Sequence, residues 1–221
     1  MIRTVLKKLM RFSNPPESSP WDNHHFGPPP CYTLESADDV YRPLLDLCFD
    51  YFNGTQVQGD IYEFGTYKGY TARLISENMA LCNWEGKLHL FDSFEGLEEE
   101  WNMNDYNPIG RFSLNKKSPK VLKNVTLIKG KVQSTLENFL KDKKDKKIIF
   151  AHMDMDTYTP TKYTLNKIKP FLQKGSVILF DEFYGFPNWQ KHEYKALKET
   201  FKEEEYKYFA FGNRQVSIEI L

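Results

Sequence analysis

The chain has 221 residues, and 30 lysines and arginines balance 30 aspartates and glutamates. That length suits one domain with a real core, and zero net charge excludes a nucleic-acid binder held by a broad basic field. Cys31, Cys48 and Cys82 are too scattered for a disulfide framework or a zinc pattern, so a reducing, cytoplasmic setting is expected. No apolar run is long enough to span a bilayer.

Ile2, Val5, Leu6, Leu9 and Met10 oppose Arg3, Lys7, Lys8 and Arg11 at helical spacing. This predicts a short amphipathic helix, read as an arm or lid on its own protein or on a partner subunit. Membrane contact is not expected, because a single weak anchor holds poorly. An arm of this kind suits a homodimer. The prolines of residues 13–30 predict loop. Ser36 with Asp39 resembles an acidic capping box opening a helix to about Phe52, with Pro43 predicting a kink or a later start.

From Asp60 strands and helices alternate. Strand 60–64 precedes helix 69–81, and strand 87–91 ends at Asp92. Strand 125–129 precedes helix 133–142, and strand 148–153 precedes helix 160–172, with Pro160 in its first turn. Strand 176–180 precedes helix 190–204. Residues 99–118, with Trp101, Tyr106 and Pro108, predict a lid or an insert, and Lys141–Lys147 a solvated loop. At the end, Tyr206–Phe211 and Arg214–Ile220 alternate around Gly212-Asn213, the pattern of a two-residue hairpin at the sheet edge. The expected fold is α/β: a doubly wound, mostly parallel seven-stranded sheet with an antiparallel C-terminal edge hairpin.

Acidic residues stand at two predicted strand ends: Asp154 and Asp156 after strand 148–153, Asp181 and Glu182 after strand 176–180. Ligands of open parallel sheets bind outside the carboxyl ends of the strands. Four carboxylates there repel one another unless a cation sits among them. Capping of the next helix would also use an aspartate, but Thr159, directly before Pro160, serves better.

Glu63-Phe64-Gly65-Thr66-Tyr67-Lys68-Gly69-Tyr70-Thr71 follows the first strand of the alternation. Its glycines allow a tight turn and close approach of a ligand. Asp92, at the next strand end, can accept ribose hydroxyls. With no Gly-x-Gly-x-x-Gly and no Walker sequence, a pyrophosphate fits less well. Glu63 would repel phosphate and suit an ammonium group, so the expected ligand is a nucleoside carrying an amino acid. His152 reads as a core histidine, and His24, His25 and His192 lack metal spacing. Trp189 or Phe186 could form an acceptor wall or simply pack.

Together, Tyr62–Gly69, Phe91-Asp92-Ser93-Phe94-Glu95-Gly96-Leu97, Asp154-Met155-Asp156-Thr157-Tyr158 and Phe180-Asp181-Glu182-Phe183 resemble the macrocin O-methyltransferase family. The resemblance spans about residues 58–220. It implies a class I S-adenosylmethionine-dependent enzyme that methylates sugar hydroxyls with Mg2+, residues 58–221 forming the methyltransferase domain behind an N-terminal arm and helix over 1–57. Glu63, Gly65, Tyr67 and Gly69 match the family's cofactor loop, with Thr66 and Thr71 of the same turn taken with them. Asp92 matches the ribose-binding acid, with Ser93 beside it, and Gly130 and Lys131 match the turn near the adenine. Asp154, Asp181 and Glu182 match the metal ligands and Asp156 the general base. The family usually shows two adjacent aspartates where this chain has Asp181-Glu182. The expected partner is a small-molecule or glycan hydroxyl acceptor. A metal-dependent glycosyltransferase using Asp154 and Asp156, a catechol-type O-methyltransferase and a cofactor-binding regulatory module are the alternatives.

Overall fold

The computed structural model describes residues 10–12, 32–34, 41–102, 106–119, 125–143 and 147–221. Most of the predicted amphipathic helix, the proline-rich loop with His24 and His25, and the capping box of Ser36 and Asp39 lie outside them. Met10–Phe12, expected as the end of that helix, is strand β1, paired antiparallel with β2 (Tyr32–Leu34). A helical pattern this short is marginal alone, and sheet pairing satisfies the same backbone groups. Helix α1 (Tyr41–Thr55) does start late, with Pro43 in its first turn.

The alternation follows as strand β3 (Asp60–Phe64), helix α2 (Tyr70–Leu81), β4 (Leu88–Asp92), β7 (Val125–Lys129), α3 (Val132–Lys141), β8 (Ile148–Met153), α4 (Tyr158–Ile168), β9 (Leu172–Phe180), α5 (Glu193–Thr200), β10 (Tyr206–Phe211) and β11 (Val216–Ile220). Two short strands, β5 (Trp101–Asn102) and β6 (Tyr106–Asn107), pair within the segment expected to be irregular. The main sheet runs β1-β2-β10-β11-β9-β8-β3-β4-β7. The seven strands from β10 to the β7 edge are parallel except β11, antiparallel to both β9 and β10. The seven-stranded, doubly wound expectation holds. The hairpin does not end the sheet, because β2 adds in parallel to β10.

Strand alternation sends neighbouring residues to opposite faces. Tyr62 and Phe64 join Leu136, Leu165 and Leu197 of α3, α4 and α5 on one side. Ile61 joins Leu45, Phe49, Phe52 of α1 and Leu74, Ile75 of α2 on the other. The segment before residue 58 therefore supplies part of the core.

Several boundaries differ from expectation. Helix 160–172 is observed as Tyr158–Ile168, and the strand expected over 176–180 already begins at Leu172, because Leu172 takes extended geometry (ψ 155°). The hairpin connection is residues 212–215, not two residues. Gly212 N–H donates to the Gln215 carbonyl at 2.8 Å, and Phe183 N–H donates to the Arg214 carbonyl at 2.9 Å, which diverts Arg214 and Gln215 from the ladder. Helix 190–204 shortens to α5, because His192 (ψ −122°) and Phe201 (ψ 141°) leave helical geometry. The N-cap of α4 is Thr157 rather than Thr159, whose hydroxyl meets Glu99 instead.

Two strand ends touch at the centre. Asp154 N–H donates to the Phe64 carbonyl at 2.8 Å. Gly65 follows with φ +91°, and a Cβ there would lie 1.6 Å from the Asp154 carbonyl oxygen. Only glycine fits. Gly65→Ala is expected to cost more than about 3 kcal/mol, a backbone clash added to left-handed strain. Chemical denaturation measures it, and a midpoint within error of the parent would refute this packing constraint.

Candidate active site

The strand order reverses between β3, which pairs with β4, and β8, which leads to β9. A cavity of about 350 Å³ opens there, at the carboxyl ends of the strands, at the topological switch point where such sheets bind ligands.

One end of the cavity is lined by Gly65, Tyr67, Asp92, Ser93, Gly130 and Lys131. Asp92 Oδ2 accepts the N–H groups of Thr66 at 2.9 Å and Tyr67 at 2.7 Å, and Oδ1 accepts that of Phe94 at 2.6 Å. A carboxylate has about four lone-pair sites, so Asp92 ties the glycine turn to β4 and keeps room for one further donor. Ser93 accepts Glu95 N–H at 3.0 Å and keeps its own hydroxyl proton to offer. Thr66 and Thr71 are buried, Gly69 caps α2 with φ 80°, and none of the three lines the cavity. Glu63 is also off the wall. It is fully buried, its Oε1 is 3.2 Å from His152 Nδ1, and its Oε2 has no partner. His152 is the core histidine expected.

The other end is acidic. Asp154, Asp156 and Glu182 each place a carboxylate oxygen so that all three lie within 4.8 Å of one another. Asp156 stands in a tight turn, with φ 61° and Thr157 N–H on the Met155 carbonyl at 2.6 Å. Aspartate tolerates that backbone better than most residues. Asp181, expected as a metal ligand, is not in this trio. It is buried, with Oδ2 accepting the Tyr41 hydroxyl at 2.7 Å and Oδ1 accepting Gln215 Nε2 at 2.9 Å. Asp156, expected as the base, is in the trio.

Burial, then repulsion from Asp181 and Asp156, holds Asp154 well above the usual carboxylate range. Burial and then Asp181 push Asp156 up to about 7. Burial, then Asp181, Asp156 and Asp154, raises Glu182 in the same way. Among the described residues, the charges acting on these three are all carboxylates. An excess of half-buried, hard oxygen donors is the chemistry that Mg2+ or a similar cation completes.

Sequence reasoning missed several parts. Glu193, fully buried, accepts Glu182 N–H at 3.1 Å and leaves Oε1 unpartnered. Tyr41 and Gln215 carry no motif that marks them. Trp189 does not form an acceptor wall; it packs on Tyr194 at 4.9 Å. Phe186 is buried between Trp101 and His192, and the aromatic wall is Trp101 with Phe112.

Strand order and cavity define a class I methyltransferase fold, the fold of enzymes that use S-adenosylmethionine. The methyltransferase-domain family matches residues 62–183, more than half of the chain, and the chain belongs to that family. The glycosyltransferase alternative falls with this assignment. No curated protein sequence matches significantly. The crystal structure of CalS11, a calicheamicin methyltransferase, aligns with a TM-score of 0.68 at 22% identity, over 80% of this chain and 77% of that one. The apo structure of CalS11, described as a TDP-rhamnose 3'-O-methyltransferase, gives 0.60 at 22% identity over the same shares, 80% and 77%. The O-methyltransferase NovP gives 0.65 at 16% identity, over 81% and 78%.

The crowding of like charges has a measurable sign. A carboxyl whose folded pKa exceeds its unfolded value binds its proton more tightly when folded, so stability is full at low pH and falls as pH rises. For Asp156 the window runs from 3.8 to about 7. In chelator, melting temperature is expected to fall across that window. Asp156→Asn, which keeps the turn, should raise it near pH 7 by a few degrees, on the order of 1 kcal/mol. A lower melting temperature in the variant would contradict the repulsion.

Proposed function

We propose that the protein transfers a methyl group from S-adenosylmethionine to a hydroxyl oxygen of a sugar or glycoconjugate, with Mg2+ at the acidic end of the cavity. One observation carries this reading: the glycine turn with Asp92 and Ser93 and a cluster of mutually repelling carboxylates line a single cavity. A hydroxyl, unlike a thiol, must be helped to lose its proton before it attacks, and such a cluster answers that need. The activities named for CalS11 and NovP, O-methyl transfer in both and to a sugar in CalS11, support the acceptor class.

S-adenosylmethionine supplies a methyl already activated on a sulfonium, and Mg2+ supplies the positive charge that lowers the acceptor hydroxyl's pKa. Asp92 and Ser93 hold the ribose hydroxyls, one as acceptor and one as donor. Gly65, at the foot of the turn, lets the cofactor approach the backbone. Glu63, buried one residue before that turn with Oε2 unpartnered, is the carboxylate suited to the amino group. Asp154 and Glu182, with Asp181 alongside, hold the cation. Asp156 takes the hydroxyl proton as general base. Trp101, Phe112 and Leu97 close the cavity and hold the acceptor face against solvent.

Labelled methyl transfer from S-adenosylmethionine to a panel of glycosides and nucleotide sugars tests the proposal. Transfer should stop with EDTA and resume with Mg2+. Asp154→Ala should lower it at least about 100-fold while S-adenosylhomocysteine still binds. Asp156→Asn should lower kcat about 10²- to 10⁴-fold, the range of a positioned general base. Transfer indifferent to EDTA would overturn the role of the metal. A folded enzyme that labels no hydroxyl acceptor would overturn the reaction.

A further inference from the structure

We infer that Tyr41 and Gln215 are positioning residues for the acidic site: they clamp Asp181 and so fix the geometry in which the neighbouring carboxylates meet a cation. The inference rests on the functional reading above and adds residues that lie outside the matched family segment of 62–183.

Asp181 is 5% exposed, and each of its two oxygens has its own donor. The Tyr41 hydroxyl reaches Oδ2 at 2.7 Å, and Gln215 Nε2 reaches Oδ1 at 2.9 Å. Both donors are neutral side chains, and together they block rotation of the aspartate from two sides. Asp154, Asp156 and Glu182 contrast with it. Among the described residues no side-chain donor meets their carboxylates, whose oxygens lie within 4.8 Å of one another.

The clamp arms come from opposite ends of the chain, and each is itself fixed. Tyr41 is the first residue of α1, and its ring packs edge-on to His152 at 6.1 Å and to Tyr70 at 6.2 Å. His152 in turn meets Glu63. Gln215 ends the four-residue turn before β11. Besides the bonds from Gly212 and Phe183 already described, the Tyr184 hydroxyl donates to the Gly212 carbonyl at 2.9 Å. That turn therefore docks on the loop just after Asp181. Tyr41 also lines the cavity, which places the clamp within reach of whatever occupies it.

Calorimetric titration with Mg2+ and a melting-temperature cycle in chelator test the clamp. Tyr41→Phe keeps the ring and removes the donor; Gln215→Met keeps the bulk and removes the donor. Each is expected to weaken Mg2+ binding about tenfold or more, as loss of an outer-sphere partner does, with S-adenosylhomocysteine affinity unchanged. In chelator, Tyr41→Phe should lower the melting temperature by about 2–4 °C in the parent and by much less in an Asp181→Ala background, because the bond it removes is already gone. Parental Mg2+ affinity in both variants, or equal melting shifts in both backgrounds, would overturn the clamp. Absence of Mg2+ binding by the parent protein would instead overturn the functional reading on which it rests.

Discussion

Mutual repulsion among carboxylates at the ends of β8 and β9 is the constraint around which this site is organised. Asp154, Asp156, Asp181, Glu182 and Glu193 are gathered where little water reaches, and each raises the free energy of its neighbours' ionised form. The gathering follows from the backbone. Gly65 and Asp154 are in contact because β3 and β8 are adjacent parallel strands that end together. The glycine turn therefore cannot be built without bringing the acidic strand end beside it. The fold accepts this local instability at its switch point and offsets it with two aromatic and aliphatic layers on either side of the sheet.

The acids are handled in different ways, and the difference divides their work. Asp92 is satisfied by three backbone N–H groups and acts as a strut with one acceptor site left. Asp181 is satisfied by two neutral side chains and is held in one orientation. Glu63 has one oxygen on His152 and one orphaned. Asp154, Asp156 and Glu182 face one another with no side-chain donor among the described residues, an arrangement that a bound proton or a cation relieves. Groups with satisfied lone pairs build the site; groups without them await a ligand.

Much of this was legible in the sequence because it depends on local pattern. Apolar runs ending in acid marked β4, β8 and β9, and the positions of Asp92, Asp154 and Glu182 at the cavity followed from strand ends alone. Their gathering at one switch point followed from βαβ handedness. Contacts across long sequence separations were not legible. Tyr41 meets Asp181 across 140 residues, and nothing in the helix pattern of α1 announces it. The exchange of Asp156 for Asp181 in the trio depends on a left-handed turn at residue 156 and on two remote donors. The hairpin length failed for a similar reason. Arg214 and Gln215 alternate well enough to read as strand, but tertiary bonds to Phe183 and Asp181 take them out of the ladder. Trp189 misled because an aromatic beside a site is as readily packing as wall.

The most direct test of the account is a calorimetric titration of the purified protein with S-adenosylhomocysteine, followed by Mg2+ titrated into the resulting complex. The account predicts one cofactor site per chain and one divalent-cation site per chain, filled together in the same cavity. A folded protein that binds neither, or that binds the cofactor but no cation at its carboxylate cluster, would contradict it.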